Sequence, residues 1–272
     1  MKKVNYKIIF YFIGVLLMFN GGFMFLASLL SYFYDDGITK SLILSGFIVF
    51  TLGTISFRFN KNFDKQLNKK EGYIVVILGW IIMILSGTIP YLFTGTINGF
   101  SNSIFETTSG YTTTGATIID SIESLPYGII FWRSITHWIG GMGIIVLAIA
   151  ILPLLGIGGM QLFSAEAPGP STDKLHPRIT DTAKRLWLIY FGFTLLETIL
   201  LTVFGMSFFD AINHSMSNIA SGGFSTKDSS LAYWNSQPII QYIVIIFMFI
   251  AGTNFVLSYY IFKGKFDKLR SD

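Results

Sequence analysis

Two hydroxyl- and glycine-rich stretches hold the residues in this sequence best suited to chemistry. The first is Phe105-Glu106-Thr107-Thr108-Ser109-Gly110-Tyr111-Thr112-Thr113-Thr114-Gly115-Ala116-Thr117, and the second is Asn213-His214-Ser215-Met216-Ser217-Asn218-Ile219-Ala220-Ser221-Gly222-Gly223-Phe224-Ser225. Aligning Gly115 with Gly223 also aligns Ser109 with Ser217, Thr117 with Ser225 and Glu106 with His214. Glycine tolerates φ > 0 and strained backbone, so Gly115 and Gly223 can turn neighbouring carbonyls toward a common point. A helix C-cap or a tight turn is the alternative use for each glycine. A polar stretch this long finds no hydrogen-bond partners against lipid; at membrane depth it must line a cavity or a pore.

The elements around these stretches are strongly apolar. Hydrophobic residues make up 52% of the 272, charged residues 12%, and mean hydropathy is +0.60. Soluble domains carry about 25% charged residues, so the chain reads as a polytopic membrane protein. Apolar runs at 8–34, 41–57, 73–95, 128–155, 186–206 and 238–262 each approach the length of a membrane span. The first is too long for a signal-peptide core and lacks a small-residue cleavage pattern, so no cleavable signal is expected. Segments 97–111 and 208–220, just ahead of the glycines, are expected to form half-membrane helices. Lys2, Lys3 and Lys7, the basic residues from Arg58 to Lys70, those from Lys174 to Arg185, and those from Lys263 to Arg270 all fall on one side. They are sixteen of the 19 basic residues, and only Lys40 and Lys227 lie opposite. That bias predicts cytoplasmic termini and loops entering from outside. The net charge of +4 is a topology signal, and no nucleic-acid partner is expected.

Other chemistries fare worse. With no Cys there are no disulfides, thiol nucleophiles or Cys-based zinc sites. A membrane hydrolase built on Glu106, His137 and His214 around a metal would lack any metalloprotease or serine-hydrolase motif. The glycines of 156–159 lack the Lys-Ser/Thr ending of a phosphate loop. No enzyme activity and no cofactor are expected. Arg133 and Glu197 are ionisable groups in or near apolar spans, where charges are costly and are paired or functional. A structural use is favoured for both, as it is for Glu106 and His137. Gly140, Gly141 and Gly143 allow close helix approach.

Residues 73–155 and 186–262 repeat one plan in the same orientation: span, short helix, polar stretch, span. This is the M1–pore helix–M2 organisation of potassium channels, whose filter carbonyls replace an ion's hydration shell. The detail resembles the Trk/Ktr/HKT superfamily, and its TrkH branch in particular. The matching residues are Thr112–Thr117, Phe131-Trp132-Arg133-Ser134, Trp138–Gly143, Gln161-Leu162-Phe163, Ala165-Glu166, Pro168-Gly169-Pro170, Pro177-Arg178-Ile179, Gly222–Thr226 and Ala251–Phe255. The resemblance implies an all-α polytopic fold: a two-helix transmembrane region (1–72), a first pore repeat (73–155), a cytoplasmic connector (156–185), and a second repeat with its tail (186–272). It also implies potassium uptake across a bacterial plasma membrane, with homodimers and a cytoplasmic nucleotide-binding regulator. The expected ion ligands are the backbone carbonyls of Thr113, Thr114, Gly115, Ser221, Gly222 and Gly223, with Thr112 and Ala220 innermost. Neither copy contains the Thr-Val-Gly-Tyr-Gly run of highly selective channels, so fewer carbonyl rings and a moderate preference for potassium over sodium are expected. The family carries four repeats and two lie here. The expected object is therefore the N-terminal half of a subunit, inactive as a monomer, that needs lipid and either a second copy or a complementary half. A non-transporting half that regulates a full transporter is the alternative.

Overall fold

The computed structural model describes residues 4–61, 69–143 and 179–253, which are helical and irregular with no strand among them. Helix α1 (Tyr6–Tyr34) and helix α2 (Thr39–Phe59) form an antiparallel hairpin. Gly14, Gly21, Gly46 and Gly53 line its seam. A Cβ at Gly14 would stand 2.6 Å from the Phe57 amide nitrogen, and one at Gly21 2.7 Å from that of Phe50. Only glycine permits this backbone-to-backbone approach, the usual way apolar helices associate where burial offers no driving force. Helix α3 (Lys69–Gly87) breaks at Thr88 and continues as α4 (Ile89–Thr94), with Pro90 in its first turn. The predicted span 73–95 is thus two helical pieces, because proline supplies no amide to continue the ladder.

A short helix α5 (Phe100–Tyr111) leads to the first polar stretch, followed by α6 (Tyr127–Gly141). The second repeat has α7 (Ile179–Val203), α8 (Phe208–Ile219), a 3-10 turn η1 (Ser230–Trp234) and α9 (Pro238–Gly252). Helix α7 begins at Ile179 rather than near 186. Helices α1, α2, α3–α4 (Lys70–Thr94) and α7 are long and apolar enough to cross a membrane, and α9 is a shorter apolar helix. The predicted span 128–155 is described only to 143, where its helix has ended at Gly141, and 238–262 only to 253. Most of the predicted connector, including the glycines at 156–159, lies outside the described residues.

Helix α6 is the shared wall of the two repeats. It is buried from Gly128 to Ile139. Its Trp132 Nε1 donates to the Gly87 carbonyl of the first repeat (3.2 Å), and its Trp138 Nε1 donates to Thr194 Oγ1 of the second (3.0 Å). Phe47, Leu188 and Phe249 are among the large apolar side chains left on the outer surfaces of α2, α7 and α9, as expected for faces solvated by lipid.

Candidate functional site

Each pore-type helix ends in the same backbone closure. In the first repeat, Thr113 N–H donates to the Gly110 carbonyl (3.1 Å) and Thr114 N–H to that of Ser109 (2.9 Å). In the second, Ser221 N–H donates to the Asn218 carbonyl (2.8 Å) and Gly222 N–H to that of Ser217 (2.8 Å). This paired 5→2 and 6→1 closure requires a left-handed residue after the helix, a place normally given to glycine. Here it is filled by Thr113 (φ 53°) and Ser221 (φ 56°). Two residues later Gly115 (φ 76°) and Gly223 (φ 92°) turn left-handed again. Beyond this closure neither segment continues as helix. Thr113 and Ser221 belong to the helix closure, irregular backbone follows, and neither Gly115 nor Gly223 is itself the helix cap.

The loops lie side by side. A Cβ on Gly115 would overlap the carbonyl oxygen of Gly222, while one on Gly223 would meet open space. A Cβ on Gly222 would overlap the His137 ring, and a Cβ on Gly140 or Gly141 would run into Tyr111 or Ala220. Helix α6 thus seats both loops through small residues. Thr113, Thr114, Gly115, Ser221, Gly222 and Gly223 are brought together in one region, with Thr112 and Ala220 as the cap residues of α5 and α8. Both helices end there, each bringing the partial negative charge of its C-terminus.

Side chains on the pore helices tie down the segments leaving the loops. Glu106 is fully buried; its Oε1 accepts from Arg133 Nε at 2.8 Å and from Thr117 Oγ1 at 2.9 Å, and its Oε2 accepts from Ile118 N–H at 3.2 Å. Arg133 also donates to Thr117 Oγ1 (3.2 Å) and to the Ser225 carbonyl (3.5 Å), and it lies over the Phe224 ring (4.1 Å). One guanidinium so clamps the exits of both loops. At the equivalent position His214 does the work of Glu106 without charge. Its Nδ1 bonds the Asp210 carbonyl (2.8 Å), which leaves Nε2 to accept from Ser225 Oγ (3.0 Å). His137 stacks on Phe224 with centroids 3.9 Å apart, and its Nδ1 pairs with Ser217 Oγ at 3.0 Å. The structural reading of Glu106, Arg133 and His137 thus has partners at hydrogen-bond distance. Glu106, His137 and His214 do not converge, and the described residues hold no cluster of three such groups fit for a metal.

Several supporting residues were missed. Asn20 of α1, wholly buried, accepts from Tyr111 Oη (2.7 Å) and donates to Ser86 Oγ (2.7 Å). Asp36, in the α1–α2 turn, accepts from Gly128 N–H at the start of α6 (2.8 Å). Asp228 of the second repeat accepts from Ile122 N–H of the first (2.5 Å). A lone amide in a long apolar run is itself a signal that a partner waits elsewhere, so Asn20 was discoverable.

The two-loop bundle defines a multi-pass membrane protein of the cation-transporter class, and comparison with known proteins agrees. Residues 39–270 match the TrkH family, described as cation transport protein. The chain is 42% identical over 264 residues to the Trk system potassium uptake protein TrkH of Salmonella typhimurium, a match covering 96% of this chain and 54% of the relative. It is 34% identical to TrkG of Escherichia coli K12, named likewise as a Trk system potassium uptake protein, over 97% of this chain and 55% of that one. The crystal structure of the potassium transporter TrkH from Vibrio parahaemolyticus matches with TM-score 0.81 at 35% identity, covering 96% of this chain and 53% of that one. The chain belongs to the TrkH family. It spans about half the length of the curated relatives it matches.

Proposed function

We propose that the chain supplies two of the filter loops of a Trk-type potassium uptake assembly in a bacterial plasma membrane. The observation that carries this reading is the duplicated backbone: left-handed Thr113 and Gly115 in one loop, left-handed Ser221 and Gly223 in the other, packed against each other behind α6. Left-handed non-glycine residues cost of order 1–3 kcal/mol each and persist only where the surrounding structure over-determines them, as the paired helix closure does in both loops. In this reading the carbonyls of Thr113, Thr114, Gly115, Ser221, Gly222 and Gly223 replace part of the hydration shell of potassium, and further loops complete the ring. Potassium is cargo and no cofactor takes part. Both termini face the cytoplasm, where a nucleotide-binding regulator docks, and lipid or a second copy covers the outer faces. The test is cation flux in proteoliposomes, comparing the chain alone with the chain plus a complementary half. Potassium-selective flux that is lost in Gly115→Ser supports the filter. Selective flux from a demonstrably monomeric chain refutes the need for further loops. Flux with an unchanged potassium/sodium ratio in both Gly115→Ser and Gly223→Ser refutes the site assignment.

A further inference from the structure

Glu197 is a charged-type side chain on α7 that none of the loop braces above uses, and it is completely buried. Its Oε1 accepts from Asn218 Nδ2 at 2.6 Å, while its Oε2 has no hydrogen-bond partner among the described residues. The same Asn218 Nδ2 donates to the Val244 carbonyl of α9 at 3.0 Å. One amide group therefore joins α7, α8 and α9. Asn218 is also the residue whose backbone carbonyl receives the Ser221 N–H at 2.8 Å, the bond that closes the left-handed turn. A carboxyl group among apolar helices is expensive, and packing alone would be served by leucine. What leucine cannot do is accept from Asn218, and the amide would then be held by its bond to Val244 alone. The first repeat has no such device, because Gly110 stands where Asn218 does and its side is filled by Thr136.

We infer that Glu197 is a positioning residue of the second loop: acting through Asn218, it fixes the direction of the Ser221–Gly223 carbonyls and so the cation preference of that loop. The inference rests on the filter reading above. What matters is the reach of an acceptor oxygen, not its charge. Glu197→Gln keeps an oxygen at the same length, whereas Glu197→Asp keeps the carboxyl group and withdraws its oxygen by one methylene.

Two readouts test it on the full chain in nanodiscs and proteoliposomes. The first is amide hydrogen exchange in peptides spanning 215–224 and 107–116. Glu197→Asp is expected to speed exchange at Ser221 and Gly222 by about tenfold, the effect of losing one buried hydrogen bond, and to leave the first loop unchanged. Glu197→Gln is expected to match wild type. The second is the potassium/sodium flux ratio of the assembly containing a complementary half, which should fall in Glu197→Asp and be retained in Glu197→Gln. Equal loosening of both loops, or a Gln variant as disturbed as the Asp variant, overturns the inference. A disturbed loop with an unchanged flux ratio also overturns it, leaving Glu197 a brace of the loop with no part in cation preference. A wild-type assembly with no cation preference instead overturns the filter reading, and the exchange arm then decides the bracket by itself.

Discussion

The two pore loops share a backbone and differ in how they are held. Both close their helix with a left-handed hydroxyl residue and turn again at glycine. The first is braced by ionic groups and by the N-terminal hairpin: Glu106 with Arg133, and Tyr111 with Asn20. The second is braced by neutral imidazole at His214 and by the Glu197–Asn218 bracket of its own repeat. The two repeats share the backbone closure and differ in the side chains that support it. The closure is specified by backbone hydrogen bonds, and any side chain that anchors the exit segment serves. Glu106 and His214 do so from equivalent positions, each reaching the hydroxyl eleven residues on.

The comparison can be broken most severely at the ion pair. Glu106→Leu leaves Arg133 buried without its counter-charge, and removing one partner of such a pair costs about 3–5 kcal/mol. His214→Leu removes neutral hydrogen bonds and is expected to cost about 1–3 kcal/mol. Thermal unfolding in detergent should therefore show the larger drop in Tm for Glu106→Leu, and equal drops would mean that the two braces are equivalent.

The glycines sharpen it next. Both need φ > 0, which costs an L-residue about 1–2 kcal/mol. Gly115→Ala adds an overlap with the Gly222 carbonyl, whereas Gly223→Ala adds a methyl in open space. The potassium/sodium flux ratio should fall further in Gly115→Ala than in Gly223→Ala. The reverse order would mean that the loops do not sit together as described.

A smaller difference is expected at Tyr111→Phe, which removes the bond to Asn20 and leaves a buried amide oxygen short of a donor. The cost is about 1–3 kcal/mol, read as faster hydrogen exchange in the first loop alone. The smallest effect is expected to be equal in both repeats. Thr113→Gly and Ser221→Gly each relieve about 1–2 kcal/mol of left-handed strain, offset by about 0.4–1 kcal/mol of added unfolded-chain entropy. Each variant should raise Tm by a degree or so; a gain in only one repeat would show that the two turns are not equally strained.

Much of this architecture was legible because lipid enforces it. Long apolar runs must be helices, and polar stretches between them must be sheltered, so α1, α2, α7 and both pore helices follow from hydropathy and polarity. The pore helices begin at Phe100 and Phe208, close to the expected 97 and 208. The interruption at Thr88 was missed inside an unbroken apolar run, although Pro90 marked it. The left-handed turns at Thr113 and Ser221 were not legible, because the closure that demands them usually advertises itself with glycine, and glycine here stands two residues further on. Arg133 was recognised as costly, but its partner was not, since it sits on another helix and the pairing depends on how α5 meets α6. Phe224, which carries both Arg133 and His137 on its face, looked like an ordinary apolar residue.

The glycine seam between α1 and α2 has a consequence for assembly order. Its contacts are local, and the connecting turn is short, with Asp36 bonded to Ser31 and to Ile38 N–H. A hairpin of this kind is expected to close as it enters the bilayer, well before residue 111 has been synthesised. Asn20 then waits as an unsatisfied amide on a finished surface. Ser86 arrives first and Tyr111 second, each offering the group it lacks. On that order the N-terminal hairpin is expected to act as a template for the first pore loop, with Asn20 fixing its register through Tyr111. The second loop makes no hydrogen bond to that hairpin among the described residues; its helix α8 meets α1 only through apolar packing such as Phe209 edge-on to Tyr34.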